Sequence, residues 1–312
     1  MNDSLVFTWG GEMDNGMTVD MNFKLDNSDG TAGKVFDNRS LALGLDGGGT
    51  ITFWGSAGSG VVGTFDDMMP TAYEEPTDGI DFTPLAAGSG VVGHVDGGKT
   101  GFNYSNSFGM ANVNIGYAPS GSGSAVDDGG MSGDSGNAVV ASTPSATSIA
   151  ITASPMDGLT VFAGRGDKGA DSTTEEFEDT NTTYGFTYAM GAVTVGVQQS
   201  EIEDGSAGGT ADEEMDAFGI AFAINDNLSI SYGYQEVSVD GVGQDQEITG
   251  MGLGYSMGGM TIKAQHNEGE RNVAAGANQP EYKRTEILVG FAFKFDSLKI
   301  FKRPLKFKRP FF

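Results

Sequence analysis

The feature that most restricts this chain is a two-residue alternation of apolar and small polar side chains that recurs along most of its length. In Leu228–Gln235 the even positions are Leu228, Ile230, Tyr232 and Tyr234, and the odd ones are Ser229, Ser231, Gly233 and Gln235. A β-strand sends successive side chains to opposite faces, so this pattern gives one apolar and one polar face. Phe218, Ile220, Phe222 and Ile224 alternate with Gly and Ala, and Ile287, Val289, Phe291, Phe293 and Phe295 alternate with Leu, Gly, Ala and Lys. Thr18–Leu25 and Ala192–Gln198 repeat the pattern. A helical stripe would need a period of about 3.6 residues, which these segments do not show.

Fifteen such segments precede residue 296: 4–13, 16–25, 39–46, 49–57, 100–108, 110–118, 147–156, 159–167, 181–190, 192–202, 215–225, 228–239, 247–257, 260–270 and 284–295. Short and long connections alternate between them. The short ones include Asp14–Gly16, Asp46–Gly49, Asp157–Gly158 and Asn225–Asn227. Asn-Gly and Asp-Gly supply the positive φ that tight hairpins need. The long ones, such as 58–99 and 119–146, are rich in Asp, Glu, Gly, Ser and Thr. One end of the sheet is therefore trimmed and the other elaborated.

The polar face is built from Gly, Ser, Thr, Asn and Ala, with few Lys or Glu. Gly alone is 50 of 312 residues, about twice its usual share. Such a face suits the wall of a water-filled lumen, with the apolar face toward lipid. Trp9, Tyr117, Tyr188, Tyr255 and Phe293 lie near strand ends, where interfacial girdles are expected. No apolar run reaches the length of a membrane-spanning helix. A lipid-embedded sheet must close on itself, so the expected fold is all-β, an antiparallel transmembrane β-barrel. A soluble β-sandwich or β-helix is the competing reading.

Several classes are excluded. Seventeen Lys plus Arg against 42 Asp plus Glu give a formal net charge of −25, which speaks against nucleic acid as a partner. There is no cysteine, hence no disulfide or thiolate site. His94 and His266, the two histidines, are far apart in the chain. No nucleophile elbow, phosphate loop or zinc-protease motif occurs, so the chain is not expected to be an enzyme. Met1–Leu5 lacks the basic and apolar regions of a secretory leader. The GRGD stretch within Val161–Gly169 reads as a strand end turning into a loop, and Gly121–Gly136 as an exposed surface loop.

Leu288–Phe295, LVGFAFKF, with Gly290, Phe291, Phe293 and Phe295, is similar to the C-terminal assembly signal of outer-membrane barrels. Together with the hairpin order, one very long acidic loop and the stretch Gly63–Asp81, it makes the chain resemble the trimeric general porins of Gram-negative, especially alphaproteobacterial, outer membranes. The resemblance implies a barrel of about 16 strands with a long third loop folded inward. It implies an outer-membrane channel for passive diffusion of small hydrophilic solutes and ions, working as a homotrimer among bilayer lipid and lipopolysaccharide, with no cofactor. Two features depart from it. Fifteen strands is an odd count, so residues 1–295 look like a barrel lacking the family's first strand and its signal peptide. Residues 296–312 form a basic tail holding Lys299, Lys302, Arg303, Lys306, Lys308 and Arg309. That tail is either disordered or a sixteenth strand, for which Pro304 and Pro310 suit it poorly.

The same resemblance makes Gly58–Lys99 the pore loop. Its carboxylates Asp66, Asp67, Glu74, Glu75, Asp78 and Asp81 would line one side of the constriction, with Lys24 and Arg39 on the basic wall opposite. Six acids against two bases imply a preference for cations. The acidic run could also bind Ca²⁺, which favours oxygen ligands. Two other function classes fit parts of the sequence. One is a secreted or surface-attached acidic, Ca-binding β-rich adhesin or surface-layer protein. The other is a barrel phospholipase, for which neither histidine has a suitable neighbourhood.

Overall fold

The computed structural model describes residues 4–26, 36–56, 61–66, 68–77, 101–119, 121–122, 142–143, 145–169, 179–203, 212–240 and 245–291. Fifteen of its strands form one antiparallel sheet in which each pairs with its neighbours in sequence. They are β1 (Ser4–Glu12), β2 (Thr18–Asp26), β3 (Phe36–Leu45), β4 (Gly49–Ser56), β5 (Gly101–Phe108), β6 (Ala111–Ala118), β9 (Ala146–Met156), β10 (Leu159–Lys168), β11 (Asp179–Met190), β12 (Val193–Glu203), β13 (Glu213–Asn225), β14 (Leu228–Val239), β15 (Gln246–Met257), β16 (Met260–Glu270) and β17 (Glu281–Phe291). Two short strands, β7 (Gly121–Ser122) and β8 (Ser142–Thr143), pair only with each other between β6 and β9. They fall where the sequence suggested only a loop.

The short turns rest on glycine. Gly16, Gly47, Gly49, Gly109, Gly158, Gly191 and Gly258 all have φ between 59° and 85°, a region open to residues without a Cβ. Six lie in short connections, and Gly49 opens β4 directly after one. The turn at 225–227 has no glycine, and there the Asn225 side chain accepts from the Asn227 N–H at 2.9 Å.

The alternation settles which way each strand faces. In β13 the odd residues Met215, Ala217 and Gly219 are buried, while Phe218, Phe222 and Ile224 are 38–45% exposed. In β14 Gly233 is buried while Ile230 and Tyr232 are exposed. Large exposed side chains form rows across the sheet, such as Phe222, Ile230 and Leu253, which stand directly opposite one another in neighbouring strands. A water-soluble monomer rarely exposes so extended an apolar surface. Toward the long-loop end the same face turns acidic, at Glu214, Asp216 and Glu236. The opposite face carries the buried core, and that core is made by one connection, residues 61–77, laid against the sheet.

Candidate pore constriction

The segment begins with apolar residues that anchor it. Val62–Phe65 forms a 3₁₀ turn, closed by the Thr64 hydroxyl donating to the Val61 carbonyl at 2.7 Å. Val61, Val62, Phe65 and Met69 are buried with Ala150, Phe162, Met215 and Ala217 of the wall. The Phe65 and Phe162 rings stand 5.1 Å apart at an angle of 33°. Gln198 on β12 donates to the Phe65 carbonyl at 2.9 Å.

Next the segment crosses a trench of glycines. Gly196, Gly219, Gly233 and Gly250 belong to β12, β13, β14 and β15, and each stands directly opposite the next. They form one transverse row without side chains. A Cβ at Gly196 or Gly219 would lie 2.6 or 2.9 Å from Pro70 Cδ, and at Gly233 or Gly250 it would lie 2.4 Å from Pro76 Cγ or 2.8 Å from Pro76 Cα. Pro70 and Pro76 of the loop sit where wall side chains would otherwise be, the close approach that glycine in a strand permits.

Polar contacts fix the far end. The Ala72 N–H donates to Ser231 Oγ at 2.9 Å and the Glu74 N–H to Gln265 Oε1 at 2.9 Å. The Glu75 carbonyl accepts from Gln265 and from Asn267, the latter at 3.2 Å. The Tyr73 hydroxyl donates to Glu286 at 2.8 Å, and Glu286 is ion-paired with Arg284. Lys263 Nζ stands 5.0 Å from the centre of the Tyr73 ring. The described parts of this segment, 61–66 and 68–77, thus reach from β9 to β17 along one face of the sheet.

Of the expected acidic residues, Asp66 and Glu74 are exposed and Glu75 is partly covered. Asp67, Asp78 and Asp81 lie outside the described residues, as do Phe293, Phe295 and the tail 296–312. Lys24 stands opposite Val6 and Asn38, on the same face as the loop. Arg39, expected on the basic wall, is on the other face. It stands opposite Phe23, two residues from exposed Leu41, and its guanidinium donates to the Gly55 carbonyl at 3.1 Å. The cause is the strand starting at Phe36, which makes Arg39 share the parity of Leu41 and Leu43. Gly290 and exposed Phe291 lie at the end of β17. Among the described residues no group of three or more His, Asp or Glu is placed to hold a metal ion.

The alternation puts Gln198 and Ser231 on the polar face without giving their partners, and it does not single out Lys263, Gln265, Asn267, Arg284 or Glu286. The signal for Lys263 was present: it alternates with Ile262 and Ala264 as the polar residue of its strand. The hydrogen bonds to the loop had no local signal.

A family model described as Gram-negative porin matches residues 1–274. The chain belongs to the Gram-negative porin family. No curated protein matches it. Among solved structures, Salmonella typhi OmpF in complex with daunomycin is similar at a TM-score of 0.63 and 11% identity, covering 92% of this chain and 89% of that one. A triple mutant of the Rhodobacter blastica porin gives 0.58 and 15%, covering 93% and 89%. In-vitro folded OmpT of Vibrio cholerae, in trimer form, gives 0.57 and 13%, covering 93% and 91%.

The porin is thus an antiparallel transmembrane β-barrel of the outer membrane that forms a channel, with fifteen wall strands described. The face lined by the loop is the lumen, and the face of Phe222, Ile230 and Leu253 meets lipid. Tyr73→Phe removes the hydrogen bond to the Glu286 carboxylate. It is expected to loosen the loop tip and raise open-channel current noise, measurable in single-channel records. Unchanged noise would show that the remaining contacts suffice.

Proposed function

We propose that this porin is a water-filled channel for passive diffusion of small hydrophilic solutes and ions, preferring cations, and that three copies assemble in a bilayer of phospholipid and lipopolysaccharide. The observation that carries this reading is the seating of residues 61–77 against the inner wall, with Asp66 and Glu74 exposed. Carboxylates at the narrowest section raise the local cation concentration without a tight site. At physiological salt the Debye length is about 8 Å, so charges on distant outer loops contribute little. With Arg39 facing outward and Arg284 already paired to Glu286, the positive side of the lumen rests on fewer groups than the six acids of Asp66–Asp81. The trimer is supported by the assembly named for the Vibrio cholerae relative; heat-modifiable migration on unboiled gels tests it.

Reversal potentials across a salt gradient test the selectivity. Changing Asp66, Asp67, Glu74 and Glu75 to Asn or Gln is expected to lower the cation-to-anion permeability ratio. Neutralising Glu175, Glu176 and Glu178 in the loop between β10 and β11 is expected to change it much less, and least at high salt. If the second set mattered as much as the first, segment 58–99 would not form the constriction.

A further inference from the structure

We propose that the short-turn end of the lumen holds a weak binding site for small solutes bearing a carboxylate or phosphate group, organised by Lys263. The proposal rests on the channel reading above. A cavity of about 600 Å³ opens there, between the turns that join β11 to β12, β13 to β14 and β15 to β16 and the underside of the loop at Ala72. Its size lies within the range of about 300–1,000 Å³ usual for small-molecule sites. Lys263, Ser229, Ser256, Thr261 and Asn225 line it, bringing one ammonium group together with several hydrogen-bond donors.

Lys263 differs from its neighbour Arg284. Arg284 is held by Glu286, so its charge is spent within the wall. Lys263 forms no ion pair among the described residues and instead stands over the Tyr73 ring at 5.0 Å. A ring face steadies an ammonium without neutralising it, so the positive charge stays available to a solute. The loop residue that orients Lys263 is the one whose hydroxyl binds Glu286. Seating of the loop and presentation of the charge are therefore coupled. Asp226 also lines the cavity and opposes a second negative charge, so singly charged solutes with hydroxyl groups fit best and retention is short. In a chain of net charge −25, such a site gives an anion a resting place on one side of an otherwise repelling constriction.

The test uses the purified full-length porin in planar bilayers, with acetate or inorganic phosphate added to potassium chloride on both sides at constant ionic strength. Wild type is expected to show concentration-dependent current fluctuations that saturate with each probe, and glucose is expected to produce none. K263Q is expected to shift the half-saturating concentration upward about tenfold, the scale of one lost hydrogen bond to a charged group. K263R should retain it, and the double change Ser229→Ala and Thr261→Val should weaken it partially. A response to only one probe that K263Q removes supports the site and narrows its ligand to that oxyanion. Half-saturation unchanged in K263Q overturns the proposal. A measurable potassium chloride conductance without probe shows that each variant still forms a channel, and each half-saturation is read against that variant's own baseline. No conductance in wild type would instead overturn the channel reading.

Discussion

Ile230→Arg is expected to destabilise the folded barrel by about 2–4 kcal/mol, the cost of a basic residue on the lipid face near the bilayer midplane. Ile230 lies within the outer apolar run Leu228–Tyr234 of β14, between Phe222 and Leu253 on the adjoining strands. No acidic outer-face residue is close along the strand; the nearest, Glu236, is six residues away. The arginine must either strip its charge of water or bend toward an interface. The next residue behaves differently. Ser231 faces the lumen and accepts from the Ala72 N–H, so Ser231→Arg meets water on one side and the loop on the other. It is expected to leave the barrel's stability nearly unchanged and to alter conductance by dislodging Ala72. Urea titration in lipid vesicles, read beside single-channel current, separates the two. Equal losses of stability at 230 and 231 would mean that the faces are assigned wrongly.

The strands and their faces were legible because a wide barrel leaves a local trace of them. Each wall residue meets either lipid or the lumen, so period 2 runs unbroken through Phe218–Ile224 and Leu228–Tyr234. The turns were legible for the same local reason, since positive φ concentrates glycine at 16, 158 and 191. Where the loop lands was not legible. Its contacts join Ala72 to Ser231 and Glu75 to Asn267, separated by 159 and 192 positions, and no period of the sequence encodes such a meeting. Arg39 shows a subtler failure. The alternation starts this strand at 39, where a terminal residue is free to face either way, but the backbone continues back to Phe36. Once it continues, parity with Leu41 decides. Lys263 and Arg284 were within reach of the same parity rule. The resemblance places the basic wall on the early strands instead, far from the strands that the loop leans on.

The glycine row shows how register adds what alternation cannot. Each glycine alone reads as one more small residue on the lumen face. Only pairing puts Gly196, Gly219, Gly233 and Gly250 in one line beneath Pro70 and Pro76. Gly233→Val is therefore expected to change permeation without weakening the sheet. Valine is favoured in strands, and β14 keeps its neighbours on both sides. The strain falls on the loop, because the new Cβ would lie 2.4 Å from Pro76 Cγ and a proline ring has little freedom to turn aside. The wall is backed by lipid, so the loop can yield only toward the lumen, and it narrows the path as it does so. Overpacking of this kind costs about 1–3 kcal/mol, and each 1.4 kcal/mol lowers the ratio of seated to lifted loop about tenfold. Single-channel recordings should show a smaller mean conductance with frequent transitions, while urea resistance stays near that of the parent. Ala42→Val makes a comparable enlargement on the lumen face of β3, opposite Asp20 and Thr52, a strand that none of the loop contacts described above reaches. It should leave the current steady. If Gly233→Val and Ala42→Val change conductance alike, the trench does not set the loop's position, which then rests on the apolar anchor at Val61, Val62 and Phe65 and on the polar contacts of residues 72–75.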